Sequence, residues 1–312
     1  MFSVIFPGQG SQLVGMGSEF YKNFKVVKDI FSQADDKLNF PLSKIILEGP
    51  EDKLQLTKNT QPAILTVSYS IYKTLIDEFS FSMDTCKYFA GHSLGEYSAL
   101  VCSGSLNFND ALYLLHERGK EMQNAVPVGQ GSMIAVLGTE INDIKDMIKE
   151  TIKNGVCEVA NDNANGQVII SGDKEAINSF QIYLEKKKIK SILLKVSAPF
   201  HCSLMKPAEI NMSKIINETT FKKPNFEIIN NVNANSEKEP NEIKKLLIDQ
   251  ISSTVRWRES LIYMSNNGAK NFIEIGPGKV LSGMVKRTLK NCNSFAINSI
   301  TDIKSLNDKL RK

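Results

Sequence analysis

Histidine and cysteine are scarce in this sequence, and their scarcity removes whole classes of chemistry. Three histidines in 312 residues leave little for a metal cluster, and the five cysteines (Cys86, Cys102, Cys157, Cys202 and Cys292) are an odd number without a C-x-x-C pair. That pattern argues against a disulfide framework or a cysteine-ligated zinc site, so reduced thiols and no metal are expected. A run of about 18 apolar residues, the length a membrane helix needs, is missing. Met1 to Phe6 has no basic residue ahead of its apolar ones, so neither a span nor a signal peptide is expected and the chain is placed in the cytoplasm. Excess charge of one sign is lacking too: a net charge of +4 is too small to indicate nucleic acid. Two basic clusters stand out, Lys186, Lys187, Lys188 and Lys190, and Lys286, Arg287 and Lys290. Most such runs are solvated faces, and a minority are docking sites for acidic partners.

What is present is a globular composition, 42% hydrophobic, long enough for a large core or a core carrying a smaller domain. "FSVIF" (2–6), stopped by Pro7-Gly8, and "KYFA" (87–90), stopped by Gly91, read as buried strands of an α/β sheet. Between them "TQPAILTVSYSIYKTLIDEF" has helical spacing, with Pro62 in the first turn and Thr60 as its cap. The middle has a different rhythm: strand 132–137, helix 141–153, strand 156–161, turn 163–166, strand 167–171, helix 174–187 and strand 190–196. That βαββαβ order is the ferredoxin-like split unit, expected as an inserted subdomain over 128–198, with the larger domain formed by 1–127 and 199–312.

"GHSLG", Gly91 to Gly95, follows a strand and opens a helix, the context that a nucleophile elbow requires. Glycines on either side of Ser93 remove side chains that would collide in so sharp a turn, and the helix start aims N–H groups at the serine. The alternative is a structural turn. A serine nucleophile needs a base, and only three histidines can serve. His92 adjoins Ser93 and should point away from it, toward a packing or specificity role. His116 lies mid-helix. His201, in "SAPFHC", sits where the subdomain hands back to the larger domain, at the seam where a cleft belongs, and is the chosen base. Cys202 beside it reads as a small buried residue.

The helix 109–125 carries Ala111, Leu114, Leu115, Met122 and Ala125 on one stripe, and Arg118 falls on that stripe. A buried guanidinium needs a carboxylate, either an internal Asp or Glu or one supplied by a substrate. The glycine loop "PGQGSQLVGMG" (7–17) fits neither G-x-G-x-x-G nor a P-loop. After the first strand it is placed instead to offer an oxyanion donor at Gln9.

Together, "FPGQGSQ", "TQPAILT", "GHSLGEYSAL", "ERGKEMQ", "SAPFHC" and "IGPGKVL" resemble, in order and over nearly the whole chain, the malonyl-CoA:acyl carrier protein transacylase family of bacterial fatty acid synthesis. The resemblance implies an α/β-hydrolase-like core with the ferredoxin-like insert. It implies Ser93 as acyl-accepting nucleophile, His201 as base, the N–H groups of Gln9 and Leu94 as oxyanion hole, Gln250 as the residue that orients the histidine, and Arg118 as clamp for the malonyl carboxylate. Phe200, Asn161 and Asn163 are implied as cleft residues, joining His92, Met122 and Arg118 as the substrate-binding set. Malonyl-CoA and holo acyl carrier protein are the implied partners, with coenzyme A a substrate and no cofactor, and a monomer is expected. The alternatives are a serine hydrolase or thioesterase, whose histidine usually comes late in the chain, and a polyketide-type acyltransferase with another extender unit.

Overall fold

Ten strands form two sheets in this computed structural model, which describes residues 1–310. They are β1 (Phe2–Phe6), β2 (Cys86–Gly91), β3 (Gly131–Leu137), β4 (Cys157–Ala164), β5 (Gln167–Asp173), β6 (Lys190–Leu193), β7 (Glu227–Ile229), β8 (Ser236–Glu237), β9 (Asn271–Ile275) and β10 (Asn293–Ile297). The larger sheet has the order β10-β9-β1-β2-β7-β8 and is parallel except for β8. All five residues of β1 are buried, as befits a central parallel strand covered by helices on both faces. The smaller sheet is antiparallel, in the order β4-β5-β3-β6. Its Ile134 and Ile170 pack against Ile144 of helix Ile141–Thr151 and against Ile177 and Phe180 of helix Lys174–Lys186. No helix among the described residues is long and apolar enough to cross a membrane.

In an open parallel sheet the loops at the carboxyl ends of the strands share one edge and shape the crevice there. Here the segments after β1, β2, β7 and β9 bring Gln9, Ser93, Asn231 and helix Val280–Thr288 to that edge. The antiparallel sheet closes the crevice from the other side. Its β4 is tied to the larger unit by the Asp162 N–H donating to Val255 O at 2.9 Å, the Val255 N–H donating to Ala160 O at 2.8 Å, and the Asp162–Arg258 ion pair at 2.9 Å.

Three expected elements differ; one is the strand expected at 190–196, which ends at Leu193. The strand expected at 156–161 with a turn from 163 runs on to Ala164, because register shifts between Val159 and Asn161 and between Asp162 and Ala164 break its alternation. The buried polar side chains that disguised it have partners: Arg258 for Asp162, and His92 for Asn163. Pro62 and Thr60 do not begin their helix, which spans Thr57–Lys73 and has Leu56 at its cap. Pro62 has no N–H to give the Lys58 carbonyl, and the Nδ1–H of His116 donates to that oxygen instead at 2.9 Å. His116 is thereby a structural histidine, as its mid-helix place suggested.

Glycine is obligatory at the elbow. A Cβ on Gly95 would lie 2.3 Å from the Phe6 carbonyl oxygen, and one on Gly91 would lie 1.9 Å from the Gly95 main chain. Neither neighbour is a movable side chain. Gly95→Ala should therefore destabilise the protein by about 3 kcal/mol and lower its thermal midpoint by roughly 5 to 10 °C. Calorimetry checks this; an unchanged midpoint would mean that the elbow and β1 are not so closely apposed.

Candidate active site

Ser93 sits on the turn between β2 and the fully buried helix Gly95–Cys102, with φ at 52°. A left-handed serine is strained and persists only where its surroundings fix it. One fixing contact is the Ser93 N–H, which donates to Asn231 Oδ1 at 2.7 Å. His201, also left-handed at φ 57°, brings its imidazole to the hydroxyl, and Ser93 Oγ–H donates to His201 Nε2 at 2.7 Å. On the other side of the ring, His201 Nδ1–H donates to the main-chain carbonyl of Gln250 at 2.9 Å. A carbonyl only accepts, so this contact fixes the tautomer and leaves Nε2 with the lone pair that a base needs. Burial, reinforced by the Arg118 guanidinium, pushes the His201 pKa down to about 3. At neutral pH the ring is uncharged.

Arg118 is 1% exposed and, among the described residues, makes no salt bridge. Its Nη1 donates to Gln61 Oε1 at 2.8 Å, and its Nη2 to Gln250 Oε1 at 2.8 Å and to Ser93 Oγ at 3.2 Å. Its Nε has no protein partner. Burial lowers its pKa, with Tyr97 and Glu96 opposing; a guanidinium still keeps its charge at neutral pH. Of the two readings left open by the sequence, a direct internal carboxylate is not what the fold provides. A buried cation is instead held by neutral amides, one N–H bond from the serine.

Both groups open on a cleft of about 860 Å³ between the two sheets. Its lining includes Gln9, His92, Met122, Asn161, Asn163 and Phe200, together with Ser93, Arg118 and His201. His92 points away from Ser93 as expected: its Nε2–H donates to Asn163 Oδ1 at 2.8 Å and its ring packs against Trp257. Leu94 and Gln250 lie behind the cleft wall, both about 1% exposed. Among the described residues the N–H groups of Gln9 and Leu94 meet no protein acceptor, whereas the Ser93 N–H is already taken. Loop 7–10 lies close over the elbow, since a Cβ on Gly8 would be 2.6 Å from the His92 carbonyl oxygen. Cys202 is buried.

Residues 3–307 match the family model of the acyl transferase domain. A malonyl CoA-acyl carrier protein transacylase from Bacillus subtilis is 41% identical over 295 residues, 94% of this chain and 92% of the relative. The chain belongs to the malonyl CoA-acyl carrier protein transacylase family. It is an acyltransferase. Solved structures agree: an acyl-carrier-protein S-malonyltransferase from Bartonella henselae superposes with a TM-score of 0.96 at 38% identity, covering 100% of both chains. A malonyl-transacylase in complex with a type II PKS acyl-carrier protein gives 0.95 at 36% identity and 99% of both chains.

For this transacylase family member, three site residues went unread in the sequence. Gln61 holds Arg118, Asn231 holds the Ser93 N–H, and Glu96 accepts from the Asn231 N–H and from Gln250. Gln61 had a signal, a polar residue among the apolar ones of "TQPAILTV"; Asn231, in the asparagine-rich "NNVNAN", had none.

A neutral His201 has a consequence for pH. Protonation removes the lone pair, and because the pKa is depressed the active form survives as pH falls through 6.5, the ordinary histidine value. Labelling of Ser93 by a fluorophosphonate should hold level from neutral pH through 6.5 and decline only below it; a limb centred at or above 6.5 would contradict the depressed pKa.

Proposed function

We propose that this acyltransferase moves a malonyl group from coenzyme A to the phosphopantetheine thiol of acyl carrier protein by way of an ester on Ser93. The observation that carries the reading is Arg118, a buried cation without a carboxylate partner, set one hydrogen bond from the nucleophile. An acyl group ending in a carboxylate supplies the missing anion. An acetyl group leaves the guanidinium unpaired, at a cost of about 1 to 3 kcal/mol or more. The names of the relatives support the same substrate pair.

In the first step Ser93 Oγ attacks the thioester carbon while its proton passes to His201 Nε2. The oxyanion lies about 3 Å from the N–H groups of Gln9 and Leu94. The C–S bond breaks, and the coenzyme A sulfur leaves with the proton from His201. In the second step the carrier thiol gives its proton to His201, attacks the ester, and displaces Ser93 Oγ, which recovers the proton. Ping-pong kinetics follow. A neutral His201 suits both proton transfers, and its third partner is the Gln250 carbonyl rather than a triad carboxylate. Met122, Phe200, Asn161, Asn163 and His92 shape the acyl and pantetheine path, and no cofactor takes part.

The finer reading of the fold is an α/β-hydrolase-like core, 1–127 and 199–312, with a ferredoxin-like insert at 128–198. The strand order β4-β5-β3-β6 with two helices supports the insert. A monomer is proposed, and the free cysteines suit the cytoplasm. The clusters Lys186 to Lys190 and Lys286 to Lys290 are the basic surfaces available to an acidic carrier.

Intact mass after brief exposure to a malonyl-CoA and acetyl-CoA mixture tests the reading. The wild type should carry one malonyl group that holo carrier protein discharges, and Ser93→Ala should carry none. Arg118→Ala should lose malonyl loading by about tenfold or more and favour acetyl. Rapid release of free malonate would make the protein a hydrolase, and an unchanged acyl preference in Arg118→Ala would remove Arg118 from the acyl site.

A further inference from the structure

Beneath the elbow lies a carboxylate that the scheme above does not use. Glu96, in the first turn of helix Gly95–Cys102, is 1% exposed and forms no salt bridge among the described residues. Its Oε2 accepts from Gln250 Nε2 at 2.7 Å and from the Asn231 N–H at 3.0 Å. Both donors belong to residues that hold the site. Gln250 meets Arg118 through its side-chain oxygen and His201 through its main-chain oxygen. Asn231 receives the Ser93 N–H on Oδ1 and donates from Nδ2 to Gly91 O at 2.8 Å.

A carboxamide has an accepting end and a donating end, whereas a guanidinium only donates. Arg118 therefore requires Gln250 Oε1 to face it. In that orientation the two Nε2 hydrogens reach Glu96 at 2.7 Å and Ser93 O at 3.1 Å. The flipped amide would set its N–H groups against the guanidinium and its oxygen against a carboxylate and a carbonyl. Glu96 makes the shorter of the two bonds that prevent the flip. It is also the acceptor for the buried Asn231 N–H, so both arms that hold the serine and the arginine start from one oxygen.

We infer that Glu96 is a positioning residue for acyl-group selection: it orients the Gln250 amide so that Oε1 anchors Arg118 where the acyl carboxylate meets it. The inference rests on the transacylase reading above. Burial raises the Glu96 carboxyl to about 7, and Oε2 accepts in either protonation state. The role calls for an oxygen at that place rather than a charge. Glutamine can supply it; alanine cannot, and aspartate holds its carboxylate one methylene short.

The test is competition between malonyl-CoA and acetyl-CoA for Ser93, followed by intact mass and by separate loading kinetics, in the full chain and in Glu96→Gln, Glu96→Asp and Glu96→Ala. Glu96→Ala and Glu96→Asp should lower the malonyl-over-acetyl preference by about tenfold, the size of one lost hydrogen bond. The change should lie in the malonyl KM and exceed any change in acetyl loading, which reports the Asn231 arm, and Glu96→Gln should behave as the wild type. Loss of malonyl and acetyl loading in equal proportion would assign Glu96 to general folding and overturn the inference, as would an unchanged preference. Where the alanine variant does not fold, the aspartate and glutamine variants decide the matter. Failure of the wild type itself to load malonyl would sink the transacylase reading rather than the part given to Glu96.

Discussion

A single buried positive charge organises this site. Arg118 lies on a helix face that is otherwise apolar, and burying a cation there is unfavourable unless its donors are satisfied. The fold satisfies most of them with uncharged oxygens from Gln61, Gln250 and Ser93, which come from three separate segments. A direct carboxylate would have stabilised the guanidinium more and closed it to ligands. Amides hold it in place and leave its charge available. Burial, with the same charge as the smaller cause, holds the His201 pKa down to about 3, so the ring is neutral.

The main chain supports that arrangement by strain at two points. Ser93 and His201 both occupy the left-handed region, where few side chains rest. Close packing over-determines each: Gly8, Gly91 and Gly95 allow the elbow to press against β1 and its loop, while His201 is pinned by Gln250 and by the serine. The parallel sheet gathers the loops at one edge, and the antiparallel sheet supplies the facing wall. Backbone bonds between Val255 and β4 hold the two walls at a fixed spacing.

Much of this could be read from residue order. The strand, G-x-S-x-G and helix succession located Ser93, and elimination among three histidines located His201. Both depend on local pattern, which a linear sequence records. Arg118 was conspicuous because a charge on an apolar stripe breaks the helical period, but what met it depended on residues far away in the chain. The Asn231 contact and Glu96 were illegible for the same reason: an asparagine and a glutamate have no periodic signature, and their roles come only from tertiary contacts, while Gln61 showed only as a polar residue in an apolar stretch. β4 was shortened in the reading because bulges and buried polar residues mask a strand's alternation, and Pro62 was misplaced because the side chain that relieves it, His116, lies on another helix.

The most direct measurement is a crystal structure of the protein trapped as its malonyl-Ser93 ester. The account predicts a malonyl carboxylate oxygen within hydrogen-bond distance of the Arg118 guanidinium, with Gln61 and Gln250 still holding that side chain and the ester carbonyl directed at the N–H groups of Gln9 and Leu94. A carboxylate turned into the open cleft, with Arg118 bonded only to its amides, would contradict it.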